Sequence, residues 1–445
     1  MLPGLKEKDA LLKGAGVKTI DELFMDIPAK VRIDSLDIPE GMVECELASM
    51  MKKLLGTNRT SSDMLSFLGA GMYSNYVPAV VKAVTSRGEF VTSYTPYQAE
   101  VSQGMLQALW EFQSLMCELT GMEATNTSMY DGPTAMGESA LMAARITKRK
   151  QILVPNAMQR EKKEVLRTYA LGPGLVIKEV PYVTATGQLD IAALKKMVGD
   201  DTAALVVSNP NLFGVWEEAA PELKSMLGDA LLIVDANPIS LGIAKAPGDW
   251  GADIVVGEGQ PLGMGPTLGG PSFGILTTRK KFLRDMPGRL IGMTKDQDGA
   301  RAFCMTLQTR EQHIRRAKAT SNICSNEALC SIAAAAYLSM LGRRGLRSLG
   351  IQLGLKSQQL ASRLASVPGI EAPVFRSRHF NEFVLRSKKS IKAVCAHALK
   401  RGILPGVRLK QHFPELGETL LVTVQEGHDG SDFDRLAACI SEVVE

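Results

Sequence analysis

The amino-acid sequence predicts an α/β protein built on a mostly parallel sheet, and three observations support this fold class. Short apolar runs rich in Val, Ile and Leu alternate with helical stretches through the middle of the chain. The runs are continuously apolar, which is typical of strands that helices cover on both faces. The chain is 45% hydrophobic and 22% charged, so it can form a large core. The six runs occupy residues 151–154, 175–180, 204–207, 230–234, 253–256 and 272–276.

The order of the patterns divides the 445 residues into three regions, in keeping with two or three domains for this length. Residues 1–60 are predicted to be a helical lead-in, with a capping box at Thr19 and Glu22 and a second helix over 44–55. Residues 61–326 are predicted to form a large α/β domain. Residues 327–445 are predicted to add a linking Ala-rich helix that stops at Gly342 and a small α+β domain.

Charge and cysteine usage narrow the functional class. The chain has 51 Lys and Arg against 47 Asp and Glu, and a net charge of +4 gives no reason to expect nucleic acid as a partner. Its seven Cys form no Cys-x-x-Cys pair, which favours free thiols over a disulfide or zinc framework. No signal-peptide pattern and no apolar run of about 18 residues is found. We therefore expect a cytoplasmic protein without a membrane partner.

Histidine placement excludes two further kinds of chemistry in the predicted sheet. All histidines lie in the last third of the sequence, and only His313 falls within the large domain, at its far end. The strand series up to residue 276 therefore offers no imidazole to a metal ion. A multi-His metal site or a His-based triad built from these strands is excluded.

The segment SMYDGPTA at residues 128–135 is the first candidate site, a turn of small residues that opens a helix. The start of a helix presents free backbone N–H groups and a positive dipole end, which suit a phosphate group. Asp131, Gly132 and Thr134 would lie beside that group. Any well-capped helix has a similar sequence, so a purely structural interpretation stays open.

Asp235 is the second candidate, because it follows the apolar run 230–234 directly. A carboxylate at the carboxyl edge of a central strand lies where α/β sheets hold their ligands. In enzymes that use pyridoxal phosphate (PLP), such an Asp pairs with the pyridine nitrogen of the cofactor. The alternative is an Asp that caps the turn at 236–238.

A PLP enzyme also needs a lysine that forms an imine with the cofactor, typically after the next strand. Here that segment, residues 257–271, reads GEGQPLGMGPTLGGP and contains no Lys. Neither Gln260 nor Pro261 can form an imine. The nearest lysines are Lys245, before the strand, and the pair Lys280 and Lys281, after the next one.

Several strings spread over most of the chain resemble the glycine decarboxylase family, the P protein of the glycine cleavage system. They are most similar to the alpha subunit (subunit 1) of its two-subunit form. The sequence departs from the commonest family strings at Ala99, where Pro is frequent, and at Ala317, where Glu is frequent. The strings are FLGAGMY at 67–73, YTPYQAEVSQG at 94–104, EFQ at 111–113, LTG at 119–121 and RRAKATSNIC at 315–324.

The resemblance implies a fold type I PLP-transferase-like architecture in which the PLP lysine belongs to a homologous beta subunit. The complete enzyme would decarboxylate glycine with PLP and pass the aminomethyl group to the lipoyl arm of H protein, in an α2β2 assembly. No catalytic residue is then expected in this chain alone. Its own cofactor pocket would be degenerate, and the residues predicted to line it are Asp131, Gly132, Thr134, Asp235 and Gln260.

The same resemblance directs attention to the loop at residues 94–98. Tyr94, Thr95, Tyr97 and Gln98 offer two phenols, a hydroxyl and an amide in a short loop stiffened by Pro96. Such groups suit fixed hydrogen bonding at an active site shared between subunits. A rigid turn that only holds the subunits together is the structural alternative.

Two other functional hypotheses stay open at this point. The first is a self-sufficient PLP enzyme that uses an unexpected lysine, such as Lys245 or Lys295 in the polar segment 294–299. The second is a purely structural or regulatory module with no part in any active site.

Overall fold

The computed structural model describes residues 7–33, 35–60, 63–267 and 270–444. The chain separates into two compact units, residues 1–60 and 61–445. Positions 268 and 269 of the lysine-free segment lie outside the described residues. The predicted domain boundary at residue 326 falls inside the second unit and stays a prediction.

The first unit contains the helices α1 Lys8–Gly14 and α2 Glu44–Leu55, the second as predicted. The predicted capping box is present only in part: the Glu22 amide donates to Thr19 Oγ1 at 3.3 Å, but the Glu22 carboxylate accepts from the Thr19 hydroxyl at 3.4 Å and from the Lys18 amide at 3.0 Å. It begins only a single 3₁₀ turn, Asp21–Phe24. A full helix is prevented because Pro28 has no N–H and disfavours helical geometry in the residue before it.

The second unit begins with alternating helices and strands. Their bounds, in chain order, are β1 Leu65–Ser66, α3 Ala79–Thr85, α4 Gly88–Val91, α5 Gln103–Thr120, β2 Ala124–Thr125, α6 Gly132–Thr147, β3 Gln151–Pro155, α7 Arg160–Leu171, β4 Val176–Val180, α8 Ile191–Met197, β5 Thr202–Asn209, α9 Ala220–Leu223, β6 Leu231–Ala236 and β7 Ile254–Glu258.

The rest of this unit adds an antiparallel hairpin, a long helix and a second sheet. The bounds are β8 Gly274–Thr278, β9 Leu290–Lys295, β10 Arg301–Thr306, α10 Gln312–Arg315, α11 Ala328–Ala365, β11 Ile370–Glu371, β12 Glu382–Ser387, α12 Ile391–Lys400, β13 Ile403–Leu404, β14 Val407–Arg408, β15 Thr419–Thr423 and α13 Gly430–Val444.

The central sheet has the strand order β2-β8-β7-β6-β5-β3-β4. The neighbours from β4 to β7 pair in parallel, whereas β8 is antiparallel to both β7 and β2. Side chains of β5 alternate between two hydrophobic clusters: Ala204 and Val206 belong to one, Leu205 and Val207 to the other. Both faces are therefore buried, as the continuous apolar runs predicted.

The C-terminal region packs a four-stranded antiparallel sheet, β11-β12-β15-β14, against helices α12 and α13 and the end of α11. Helix α11 is interrupted at Gly342, where φ is 59° and ψ is −179°, so the predicted stop lies at the observed break. The chain then resumes a helix up to Ala365, longer than predicted. Strand β1 pairs in parallel with β13, which ties the start of this unit to its C-terminal region.

Candidate functional site

A buried ion pair lies at the carboxyl edge of the central sheet. Asp235 is the fifth residue of β6, and Ser208 of β5 stands beside it in the parallel register. Lys162, in the first turn of α7, donates to Asp235 Oδ1 at 2.6 Å and to Oδ2 at 2.8 Å. The Ser208 hydroxyl donates to Oδ2 at 2.9 Å. Since Lys162 is 7% exposed and Asp235 is 3% exposed, the ammonium group compensates the carboxylate inside the protein.

The N-terminus of α6 also lies at this edge, and carboxylates of the chain itself bond to it. Asp131 is the N-cap, and its Oδ1 accepts from the Thr134 amide at 2.7 Å. The Thr134 hydroxyl accepts from the Asp131 amide at 3.1 Å, which completes a capping box. The Gly132 amide donates to Glu258 Oε2 at 3.0 Å. The backbone donors predicted to suit a phosphate are thus bonded to Asp131 and Glu258.

Glu258 ends strand β7, and its carboxylate accepts two further hydrogen bonds. The Gln260 amide donates to Oε1 at 2.9 Å, and the Ser272 hydroxyl donates to the same oxygen. Burial raises the pKa of Glu258, and the hydrogen bonds from Ser272, Gly132 and Gln260 oppose that rise. The Glu258 side chain therefore takes the place at the start of α6 where a phosphate would otherwise accept hydrogen bonds.

Gln260 stands in the lysine-free segment but directs its amide to the backbone. Its Oε1 accepts from the Tyr73 amide at 2.9 Å, while Nε2 donates to the carbonyls of Tyr73 at 2.9 Å and Met264 at 2.7 Å. The side chain is fully buried. The adjacent cavity is lined by Glu258 and Pro261 rather than by Gln260. In the structure, Gln260 fixes the segment that begins at Tyr73.

A third carboxylate, Glu382 of β12, faces the same edge. Its Oε2 accepts from the Tyr73 hydroxyl at 2.7 Å, and Oε1 accepts from the Ala70 amide at 2.7 Å and the Thr423 hydroxyl at 2.8 Å. Burial raises the pKa of Glu382 and, together with the nearby charge of Glu382, the pKa of Tyr73 as well. The two side chains join the 67–73 segment to the C-terminal sheet.

These groups leave a cavity of only about 30 Å³. Such a volume holds one or two water molecules, whereas pockets for small organic ligands have roughly 300–1,000 Å³. Its lining includes the carboxylates of Asp235, Glu258 and Glu382 and one ammonium group, that of Lys162. That ammonium group already binds both oxygens of Asp235, so the lining leaves no free cation for a phosphate. The residues present do not fit PLP.

The predicted interface loop lies elsewhere on the second unit, anchored by a residue that sequence reasoning missed. Arg289 donates from Nη1 to Thr95 Oγ1 at 3.2 Å and from Nη2 to Tyr97 Oη at 3.2 Å. It also donates to Asn326 Oδ1 at 3.2 Å and to the Cys324 carbonyl at 2.8 Å. Arg289 is 6% exposed, and its guanidinium group lies 5.5 Å from the centre of the Tyr97 ring.

Within this loop, the held residues 95–97 lie between two outward-facing ones. Pro96 is buried and Thr95 is partly buried, whereas Tyr94 is 79% exposed and Tyr97 is 52% exposed. Gln98 is also exposed. The structure thus brings Thr95 and Tyr97 together on Arg289 and leaves Tyr94 and Gln98 facing outward.

The structure does not bring the other lysines named from the sequence to the cavity. Lys245 is exposed, and Lys295 is an exposed residue at the end of strand β9, not of a loop. The sequence 290–306 was not recognised as a hairpin, because its turn at 296–300 is longer than the two-residue turns that mark hairpins most clearly. Within the described ranges, no group of His, Cys, Asp and Glu side chains is arranged to hold a metal ion.

Sequence reasoning also missed Lys162, Glu258 and Glu382. Glu258 carries the signal that singled out Asp235, since it follows an apolar strand run at the edge of the sheet. Lys162 has no such signal, because the stretch REKKEVLR resembles a solvated helix start. Only the packing of α7 over the sheet brings its amine to Asp235.

The sequence of this chain is similar to those of known proteins. The sequence profile of the family described as "Glycine cleavage system P-protein" matches residues 2–440. The chain belongs to this family.

Relatives within the P-protein family cover essentially the whole chain. A protein of Thermococcus onnurineus is 48% identical over 446 residues, 99% of either sequence, and one of Moorella thermoacetica is 45% identical over 440 residues, 98% of either. Both carry the name "Probable glycine dehydrogenase (decarboxylating) subunit 1". The expected resemblance to this family is confirmed.

Solved structures agree with the P-protein assignment. A crystal structure of glycine decarboxylase (P-protein) of the glycine cleavage system, in inhibitor-bound form, matches with a TM-score of 0.91 and 38% identity, covering 100% of this chain and 99% of that one. A sphingosine-1-phosphate lyase of Burkholderia pseudomallei matches with a TM-score of 0.68 at 15% identity, which supports the fold alone. The predicted fold type I PLP-transferase-like class is confirmed.

Among the described residues, each helix is too short or too polar to span a membrane.

Proposed function

We propose that this chain is the alpha subunit of a two-subunit glycine dehydrogenase (decarboxylating). The observation that carries the proposal is the near full-length identity of 45–48% to relatives named as subunit 1 of that enzyme. The word subunit in those names implies a second polypeptide. The partner is then the homologous beta subunit, and the substrates are glycine and the lipoylated H protein.

In the proposed reaction, glycine loses its carboxyl group as carbon dioxide and its aminomethyl group is transferred to the lipoyl disulfide, which is reduced. PLP supplies the electron sink for decarboxylation when it is bound to the enzyme. We place PLP on the beta subunit. The proposal draws support from the lysine-free segment 257–271 and from a cavity of about 30 Å³ next to Asp235.

We further propose two roles for the residues identified from the sequence. Asp131, Gly132, Thr134, Asp235 and Gln260 belong to a former cofactor pocket that now stabilises this subunit, in keeping with their bonds to neighbouring groups of the chain. Tyr94, Thr95, Tyr97 and Gln98 form a loop that reaches the active site of the beta subunit. The exposure of Tyr94 and the anchoring of Thr95 and Tyr97 by Arg289 support this second role.

Reconstitution tests the function directly. The beta subunit, this chain, and an equimolar mixture are each supplied with PLP, lipoylated H protein and glycine labelled in its carboxyl carbon, and release of labelled carbon dioxide is measured. We expect release only from the mixture. A beta subunit that decarboxylates glycine at the full rate on its own would contradict the proposal.

One observation favours a second candidate, a self-sufficient PLP enzyme. Lys162 is a buried amine that lines the cavity beside Asp235. Both oxygens of Asp235 already bind that amine, at 2.6 and 2.8 Å, which makes it a poor partner for a cofactor aldehyde. Decarboxylation by this chain alone that a Lys162→Arg variant abolishes would favour the second candidate.

A further inference from the structure

The first unit exposes an unusual amount of apolar surface. Among its described residues, 7–33 and 35–60, only Leu12 is buried, and Val17 and Glu22 are partly buried. These residues, called here the N-terminal arm, carry 17 of the 35 large hydrophobic side chains that are exposed in the described parts of the chain. The arm therefore has almost no core of its own and presents an apolar surface outward.

Helix α2 shows how this surface is organised. Leu47, Met50, Met51, Leu54 and Leu55 recur at the spacing that places them on one side of a helix. They are between 39% and 60% exposed. The opposite side consists of small and charged residues, among them Ser49 and Lys53.

A helix of this kind needs a partner. Isolated helices shorter than about 12–15 residues are marginal in water, and α2 has 12 residues. The exposed side chains of the arm offer on the order of 1,000 Å² of apolar area, if each contributes roughly 60 Å². That area meets the requirement of a stable protein interface, about 800 Å² on each side.

Charge argues for a protein surface over a lipid surface. Positions 1–60 contain nine basic and ten acidic residues, whereas helices that bind membranes from the surface are rich in Lys and Arg. No basic excess would attract the arm to anionic lipids.

We propose that the N-terminal arm docks on the beta subunit and that the apolar side of α2 is the centre of that interface. The inference rests on the proposed function, because that function makes a second, different polypeptide an obligatory partner. The beta subunit covers the apolar side of the arm and so stabilises α2 when the complex forms.

The test uses the full-length chain with two substitutions on the apolar side, Leu47→Glu and Leu54→Glu, combined in one variant. Affinity for the full-length beta subunit is measured by titration calorimetry, and complex size by sedimentation. We expect the dissociation constant to rise at least tenfold. The free variant should keep the circular dichroism and melting temperature of residues 61–445, because both leucines are exposed in the free chain.

The matched control is Ser49→Glu, which adds the same charge to the polar side of α2, and we expect its dissociation constant to stay within twofold of the wild type. Hydrogen exchange gives a second readout, with slower exchange of the amides at 44–55 after the beta subunit is added. Unchanged affinity of the double variant in an otherwise normal complex would overturn the arm proposal and leave the proposed function intact. If the wild-type chains form no complex at all, the proposed function itself fails.

Other occupants of the apolar side give different results. Self-association of this chain alone, removed by the double variant, would assign the apolar side to a second copy. Sedimentation with vesicles of neutral or anionic phospholipid, removed by the same variant, would assign it to a lipid surface. Slow exchange at 44–55 already present in the free chain would assign it to another part of the same chain. Each of these results would overturn the proposal.

Discussion

The cavity beside Asp235 and the loop at 94–98 differ in how far their polar groups are bonded within the chain. Around the cavity, Lys162 and Ser208 bind Asp235, and the start of α6 binds Glu258, so the polar groups are matched inside the chain. In the loop, Arg289 holds Thr95 and Tyr97 while Tyr94 is 79% exposed. A site closed by its own ion pair leaves no free polar group for a ligand, whereas a rigid loop with an outward phenol suits a partner.

The contrast predicts that substitutions at the cavity change the free energy of unfolding, whereas substitutions at the exposed end of the loop change only the activity of the complex. The largest expected effect follows from Lys162→Met. This change leaves Asp235 buried without a counterion, and removal of one partner of a buried ion pair costs roughly 3–5 kcal/mol. Urea unfolding of the free chain measures the loss.

Two further variants check the cause of that loss. Replacement of both partners, Lys162→Met with Asp235→Leu, should recover most of the stability, because no unpaired charge stays buried. The matched control Lys163→Met removes a neighbouring lysine that is paired with Glu179 at 3.1 Å. Glu179 also binds Arg167 at 2.6 Å and so keeps a counterion, and the change should cost about 1 kcal/mol or less. Equal losses in the free energy of unfolding for the two single lysine variants would show that breaking the buried pair costs no more than breaking the Lys163–Glu179 pair.

Glu217, a buried carboxylate bonded to the cavity-lining residue Asn211, predicts a dependence of stability on pH. Burial raises the pKa of Glu217 to about 7, although its carboxylate accepts from Asn211 Nδ2 at 2.7 Å and from the Leu189 amide at 2.8 Å. The folded protein therefore keeps a proton that the unfolded chain loses near pH 4.5. Its stabilising contribution is present at low pH and is lost as the pH rises to about 7, with a total of about 3 kcal/mol.

Urea unfolding between pH 5 and pH 8 measures this effect. The free energy of unfolding should fall as the pH rises, and Glu217→Gln should reduce the slope. Glu258 and Glu382, whose pKa values burial also raises, keep part of the slope in that variant. The exposed neighbour provides the control, since Glu218→Gln should leave the slope unchanged. Identical slopes in the wild type and the Glu217→Gln variant would rule out this role of Glu217.

A smaller loss is expected from Arg289→Lys, which tests the anchor of the loop. A lysine cannot reproduce the planar fork that contacts Thr95, Tyr97 and the 324–326 segment. We expect a loss of about 1–3 kcal/mol in stability and faster proteolysis within residues 91–98. Arg284 is exposed, so Arg284→Lys should change neither quantity. An intact, protease-resistant loop in the Arg289→Lys variant would refute the anchoring role.

The smallest effect on stability, below about 0.5 kcal/mol, is expected from Tyr94→Ala, because the side chain is mostly exposed. Decarboxylation of glycine by the reconstituted complex should nevertheless fall at least tenfold. Leu171 is 80% exposed on the same unit, and Leu171→Ala provides a control that should keep full activity. Full activity of the Tyr94→Ala complex would instead favour a structural role for the loop.

The sequence predicted those features that depend on local pattern. Continuous apolar runs located the strands β3 to β8 within two or three residues, and Gly342 located the break in α11. The antiparallel orientation of β8 was not predicted, because an apolar run has the same appearance in either direction.

The candidate site was predictable only in part, because it depends on long-range contacts. Lys162 and Asp235 are 73 residues apart in sequence, and Tyr73 and Glu382 are 309 apart. No local pattern reports which helical lysine is buried against which strand. The absence of a lysine from 257–271, by contrast, is a direct property of the sequence.

Exposure of the purified chain to PLP, followed by borohydride reduction and peptide mapping, tests the central claim most directly. Borohydride makes any imine between PLP and a lysine permanent, so the modified residue can be identified. We predict no stoichiometric modification and no visible absorption band, because Asp235 already binds Lys162 and the remaining cavity holds only about 30 Å³. Stoichiometric modification of Lys162, with a visible band that borohydride removes, would contradict this claim and make the chain a PLP enzyme in its own right.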